Sequence, residues 1–121
     1  MRVNSYRDLD VWQRSIDLAA VCHDLLKTFP VEERYALTGQ MRRSSVSVPS
    51  NIAEGNASGF RRLYVSHVGR AQGSLAELET QMILAERFLY VPTRSAEFWG
   101  LSDDVSRMLM KLRRSLNAAP R

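Results

Sequence analysis

The sequence predicts an all-α protein, an antiparallel up-and-down four-helix bundle, on three observations. Four segments repeat apolar residues in steps of three and four, the spacing that gathers side chains on one face of an α-helix. Short breaks bearing proline or glycine separate them, and short connections make sequential helices antiparallel neighbours. No segment alternates apolar and polar residues in the manner of a half-buried strand, and no repeat or low-complexity tract is present. The 121 residues fit a single domain, 1–121, large enough to build a core without metal or disulfide staples.

Helix one is expected over about residues 7–27. Leu9, Trp12, Ile16, Ala19, His23 and Leu26 form its stripe, widened by Val11, Leu18, Cys22 and Leu25. Ser5 with Asp8 offers a start signal of the capping-box kind. Phe29-Pro30 ends the helix, because the residue before a proline is pushed out of helical geometry. His23 falls on the inner stripe, which predicts a partly buried, hydrogen-bonded residue and not a ligand.

Helix two is expected over about residues 35–56. Pro49 lies within it, where the ring removes a backbone hydrogen bond and predicts a kink. Two shorter helices are the alternative, but Ser-Val-Pro-Ser lacks the glycine of a helix-turn-helix connection. Gly55 to Gly59 reads as a C-cap and a polar loop. Helix three, about residues 60–89, carries Tyr64, Val68, Ala71, Leu75, Leu78, Met82, Ala85 and Leu89. Gly69 and Gly73 interrupt it at a cost of about 1 kcal/mol each, which predicts close approach by another helix. Val91-Pro92-Thr93 forms the next break, with Thr93 able to cap helix four, about residues 94–116. That helix turns Phe98, Leu101, Val105, Met108, Leu109, Leu112 and Leu116 inward.

The segment from Gln40 to Gly55 is the unusual one. Gln40, Ser44, Ser47, Asn51 and Glu54 align on one side, beside Met41, Ser45, Val48 and Ile52. Small polar residues next to an apolar stripe predict tight helix packing, a hydrogen-bonded inner network or a subunit interface. Gln40, Arg43, Ser44, Asn51, Glu54 and Glu77 are the residues expected to form it. Arg43 and Glu54 lie three turns apart, too far to pair within one helix, so Arg43 is expected to be held by Glu54 or Glu77 of a neighbour.

Net charge is +4 and unevenly spread. Residues 34–70 hold six arginines against Glu54 alone, and residues 103–121 hold five cations against Asp103 and Asp104. Such separation predicts a surface that faces a polyanion, with solvated and locally paired helix faces as the alternative. Arg61, Arg62, Arg107, Lys111, Arg113 and Arg114 are the expected phosphate contacts, the arginines because a planar guanidinium fork binds two oxygens.

No apolar run approaches the roughly 20 residues of a membrane span, and the first residues lack the apolar stretch of a secretion signal, so the expected location is cytoplasmic with no membrane partner. The single Cys22 forms no internal disulfide and reads as a small buried hydrophobe. Neither His23 nor His67 stands in a Glu-x-x-His pair, no phosphate-cradling glycine loop occurs, and the serines lie outside any nucleophile-elbow motif. The expectation is a protein without metal, cofactor or catalytic residues, and not an enzyme.

A longer pattern runs through the chain: Leu9-Asp10-Val11-Trp12, then Phe29-Pro30 before Glu33, Leu37-Thr38, and Gln40 followed by Arg42-Arg43. It continues through Asn51-Ile52-Ala53-Glu54-Gly55 and Gly73-Ser74-Leu75-Ala76-Glu77-Leu78-Glu79. In order and spacing this resembles the four-helix-bundle proteins encoded in intervening sequences of bacterial 23S ribosomal RNA genes, over nearly the whole chain. The resemblance implies a closed bundle that assembles into a homo-oligomer, a pentameric ring. It also implies distant similarity to the basic accessory proteins of diversity-generating retroelements, which associate with nucleic acid and a reverse transcriptase. Two positions depart from the pattern: Ala36 follows Tyr35 where the family often has glycine, and Phe88-Leu89-Tyr90 lacks the glycine common before that tyrosine. The expected function is a non-enzymatic oligomer that binds RNA or DNA. The alternative is a protein-binding adaptor or scaffold without nucleic-acid affinity.

Overall fold

A computed structural model describes residues 5–91 and 95–118. Four α-helices, α1 (Asp10–Leu26), α2 (Leu37–Ala57), α3 (Arg61–Arg87) and α4 (Ala96–Ala118), are accompanied by 3-10 turns at Tyr6–Asp8 and Val31–Glu33. Among the described residues there is no strand. α2 and α4 each pack against both α1 and α3, so every helix has two neighbours and the four enclose one core. The α3–α4 pair runs antiparallel: Trp99 Nε1 donates to Glu86 Oε2 at 2.9 Å, Ser102 Oγ donates to Glu79, and Arg113 Nη1 donates to Gln72 Oε1 at 2.6 Å. Leu18, Met41, Ile52, Leu78, Met82, Phe98 and Leu109 are wholly buried at its centre, each contributing roughly 1.5–3 kcal/mol by leaving water.

α1 corrects two expectations. It begins at Asp10, because Leu9 is extended, and Ser5 instead caps the preceding 3-10 turn by accepting from Arg7 N at 3.1 Å. Its buried face is Val11, Ser15, Leu18, Cys22 and Leu26, one residue round from the predicted stripe. Ile16 is therefore 40% exposed and His23 lies at the surface, its Nδ1 3.4 Å from Arg42 Nη1. The apolar arc of α1 is broad, so periodicity alone leaves its centre open; contact with α2 on one side and α4 on the other selects the Leu18 and Cys22 side.

α2 continues through Pro49, which excludes the two-helix alternative. It also runs past Gly55, and the left-handed residue that ends it is Gly59 (φ +78°) after the C-cap Ser58. Gly55 serves close packing instead: a Cβ there would lie 2.8 Å from His67 Cβ and 3.1 Å from the Tyr64 ring. The close approach predicted for Gly69 and Gly73 is not made among the described residues, since a Cβ on Gly73 meets nothing within 4 Å and one on Gly69 only the Arg113 guanidinium.

α3 stops in a Schellman turn. Leu89 N donates to Glu86 O and Tyr90 N to Ala85 O, with Leu89 at φ 63°. Leu89, expected on the inner stripe, is consequently 83% exposed. Ser95 Oγ accepts from Phe98 N at 3.1 Å and caps α4; Thr93, the predicted cap, lies outside the described residues.

Candidate nucleic-acid interface

The six predicted phosphate contacts all lie on the surface, but the fold sorts them. Arg61 and Arg62 open α3 and line a hollow of about 740 Å³ together with Phe60, Leu63, Leu116 and Asn117. The α4 side of this end carries Arg113, which reaches across to Gln72, and Arg114, whose guanidinium contacts Met110 Sδ. Arg107 is drawn elsewhere: its Nη2 lies 2.5 Å from Asp104 Oδ1, and Arg14 takes the other carboxylate oxygen at 2.9 Å. Lys111 borders the α1–α4 groove beside Asp10 and Met108. Four of the six cations thus gather near the α3 start and α4 end, while two stand near carboxylates.

The loop that builds the hollow is short and tied down. Ser58 Oγ donates to Gly55 O at 2.7 Å and accepts from Phe60 N at 3.2 Å, Gly59 supplies the left-handed turn, and Phe60 enters α3 in extended geometry. Its ring is left 68% exposed. Phe60 offers no side-chain cap, and the first turn of α3 has no acid, an arrangement contrary to the usual preference for carboxylates at the positive end of a helix.

The polar face of α2 meets α3 in a continuous seam. Ser74 Oγ and Ser47 Oγ are 2.7 Å apart. Asn51 Nδ2 donates to Ser47 O at 2.9 Å and to Ser47 Oγ at 3.0 Å, so its Oδ1 is left to accept from His67 Nδ1 at 2.9 Å. With Nδ1 donating to Asn51, Nε2 faces the Glu54 carboxylate, 3.7 Å away. Of the predicted network, Asn51 and Glu54 join this seam and Ser44 is buried beside it. Gln40 and Glu77 border a neighbouring groove with Gly73 and Gln81, and Arg43 is exposed. Among the described residues neither Glu54 nor Glu77 pairs with Arg43. His67 and Ser74 were missed because they lie on the partner helix. Their signal was there: His67, Ser74 and Gln81 recur every seven residues, a polar line facing that of α2.

Two groups have displaced acidities. Burial pushes the Cys22 thiol up to about 11, with Ser45 and Arg42 acting weakly the other way. Tyr90 is raised by the hydrogen bond its hydroxyl donates to Glu33 Oε2 at 2.6 Å. Among the described residues no three His, Cys, Asp or Glu side chains converge as a metal site, and no helix is long and apolar enough to cross a membrane.

Comparison with known proteins bears on the whole bundle. A structure of a protein of unknown function from the S23 ribosomal protein family of Bacteroides thetaiotaomicron is similar with a TM-score of 0.77, at 22% identity over 86% of this chain and 95% of that one. The likeness is one of fold. No curated protein sequence matches. Residues 7–111 match the 23S rRNA-intervening sequence protein family, from the 3-10 turn before α1 to within α4, and the chain belongs to that family.

Proposed function

We propose that this protein is a non-enzymatic oligomer that binds RNA or DNA through phosphate contacts at the end of the bundle formed by the α3 start and the α4 end. One observation carries the reading: residues 61–76 and 105–118, brought side by side by the antiparallel α3–α4 pair, hold seven Arg or Lys residues and no carboxylate. Arg61, Arg62, Arg113 and Arg114 are the principal contacts, with Arg107 engaged by Asp104 and Lys111 set on the α1–α4 groove. Binding of this kind reads backbone and shape more than sequence, and it falls steeply with salt because each neutralised phosphate releases counterions.

The oligomer, a pentameric ring, rests on the outward face of α3. Gly73, Ala76, Thr80 and Leu84 are exposed in steps of three and four, and the open space beside Gly73 leaves its helix-weakening cost without a return inside the chain. A neighbouring helix laid there would supply one, and would bring a second Glu54 or Glu77 within reach of Arg43. Repeating a modest basic patch around a ring raises avidity without strong affinity in any one subunit.

The test is binding of the purified protein to structured RNA, duplex DNA and single-stranded DNA across a salt series, with oligomer mass measured on the same sample. The expected result is a binding constant that falls with salt, and a shallower salt slope when Arg61, Arg62, Arg113 and Arg114 are changed to Gln. An oligomer indifferent to all three nucleic acids favours the second reading, a protein-binding adaptor. That reading draws on the exposed apolar group Ile83, Leu84, Phe88 and Leu89 at the far end of α3.

A further inference from the structure

The hollow at the start of α3 has two chemistries side by side. It is lined by the apolar side chains Leu63, Val65 and Leu116 and by the polar Arg61, Arg62 and Asn117. Phe60 stands at its edge with 68% of its surface open to water. The Ser58 hydrogen bonds and the left-handed Gly59 hold the backbone that presents this ring beside the two cations. The volume, about 740 Å³, falls within the range of about 300–1,000 Å³ common for small-molecule sites.

A ligand that satisfies both halves must offer a flat apolar face within a few ångströms of negative charge. An unpaired nucleotide does so: its base can stack on Phe60 while the flanking phosphates meet Arg61 and Arg62. A base inside a duplex cannot, because both its faces are already stacked. Duplex phosphates alone would leave the apolar wall wet. An acidic protein segment would supply charge without a planar face for the ring.

We propose that this hollow seats an unpaired nucleotide, so that the protein prefers single-stranded or looped segments to continuous duplex. The inference rests on the nucleic-acid reading above and narrows it to a substrate class. Stacking of one base on an exposed aromatic side chain is worth enough to weaken binding about tenfold when the ring is removed. Asn117 also lines the hollow, and its amide carries the donors and the acceptor that a base edge can use.

The experiment measures fluorescence anisotropy of a labelled single-stranded RNA and of the same sequence as a duplex, at one salt concentration, with the full chain. The variants are Phe60→Ala, Phe60→Trp, and Arg61→Gln with Arg62→Gln. Helical circular dichroism, thermal midpoint and solution mass are recorded for each. The expected result is tighter binding of the single strand, a loss of about tenfold for Phe60→Ala on the single strand with duplex binding unchanged, and retention by Phe60→Trp with indole fluorescence quenched on binding. The arginine pair should weaken both ligands. Equal affinity for the two ligands, or indifference to Phe60→Ala, would overturn the inference while leaving phosphate binding intact. Absence of binding to either ligand would remove both readings. A change of solution mass in Phe60→Ala at unchanged helicity would make the hollow a subunit contact and also overturn the inference.

Discussion

A methyl group added at Gly55 would stand 2.8 Å from His67 Cβ, with Tyr64 backbone 3.3 Å away, and neither is the free end of a flexible chain. Gly55→Ala should therefore cost about 1–3 kcal/mol by overpacking, despite alanine's better helix propensity; urea unfolding with an unchanged m-value would measure it. Gly73→Ala, with open space around it, should stabilise an isolated subunit. Leu89 presents the opposite case. A leucine at φ 63° holds a left-handed conformation that costs an L-residue roughly 1–2 kcal/mol, and with 83% of it exposed little packing is lost on replacement. Leu89→Gly should raise the thermal midpoint by several degrees. For Cys22 the sign follows from its acidity, which is raised in the fold to about 11. Between the ordinary thiol value and that one, only the unfolded chain loses the proton, so the contribution is present at neutral pH and declines as pH climbs through about 9 to 11. Cys22→Ala should lower stability at pH 7 and flatten that alkaline decline. Little of this was legible residue by residue. The sequence marks Gly55 as a helix end, and only three-dimensional proximity to His67 gives it another purpose.

At the scale of elements, the seam between α2 and α3 carries specificity that neither helix shows alone. Asn51 is satisfied only because Ser47 accepts from it and His67 donates to it, so removing one member strands the others in a half-buried place. Asn51→Ala and His67→Ala should each cost about 1–3 kcal/mol, and the double variant should cost less than the two together, with a coupling of about 0.5–3 kcal/mol in a double-mutant cycle. The number, order and approximate extent of the helices were readable, because apolar periodicity and Gly or Pro breaks are local signals. Their rotation was not. Trp12 packs against the core as expected, but Ile16 is 40% exposed, since a broad apolar arc accepts several orientations until its neighbours choose one. The polar line of α2 was readable as a line, but its partners lie on α3 in a register that only packing defines.

For the whole molecule, charge and assembly set the predictions. If Glu54 holds a neighbouring Arg43, Glu54→Ala should shift the mass distribution toward smaller species in light scattering or native mass spectrometry while monomer helicity stays the same. His67 partly offsets that interpretation inside the chain, being 3.7 Å from the same carboxylate, so Arg43→Gln should give the same mass shift if the pair spans subunits. Total charge was legible from composition, and so was the gathering of arginines along two stretches. The Asp104–Arg107 spacing is that of a helical i,i+3 pair and was readable, whereas the reach of Arg14 from α1 to the same carboxylate was not, because it depends on how α1 and α4 pack.

The connection between α2 and α3 is the shortest in the bundle, and these two helices also share its most extensive contact. They form the bundle's most extensively packed hairpin, and native-state hydrogen exchange should show two tiers of protection, with the amides of α4 opening at lower free energy than those of the hairpin. The hollow beside Phe60 spans that boundary, with one wall on the hairpin and the other, Leu116, on the last turns of α4. A ligand bound there would bridge α4 to the hairpin, so occupancy should slow exchange along α4 far from the point of contact.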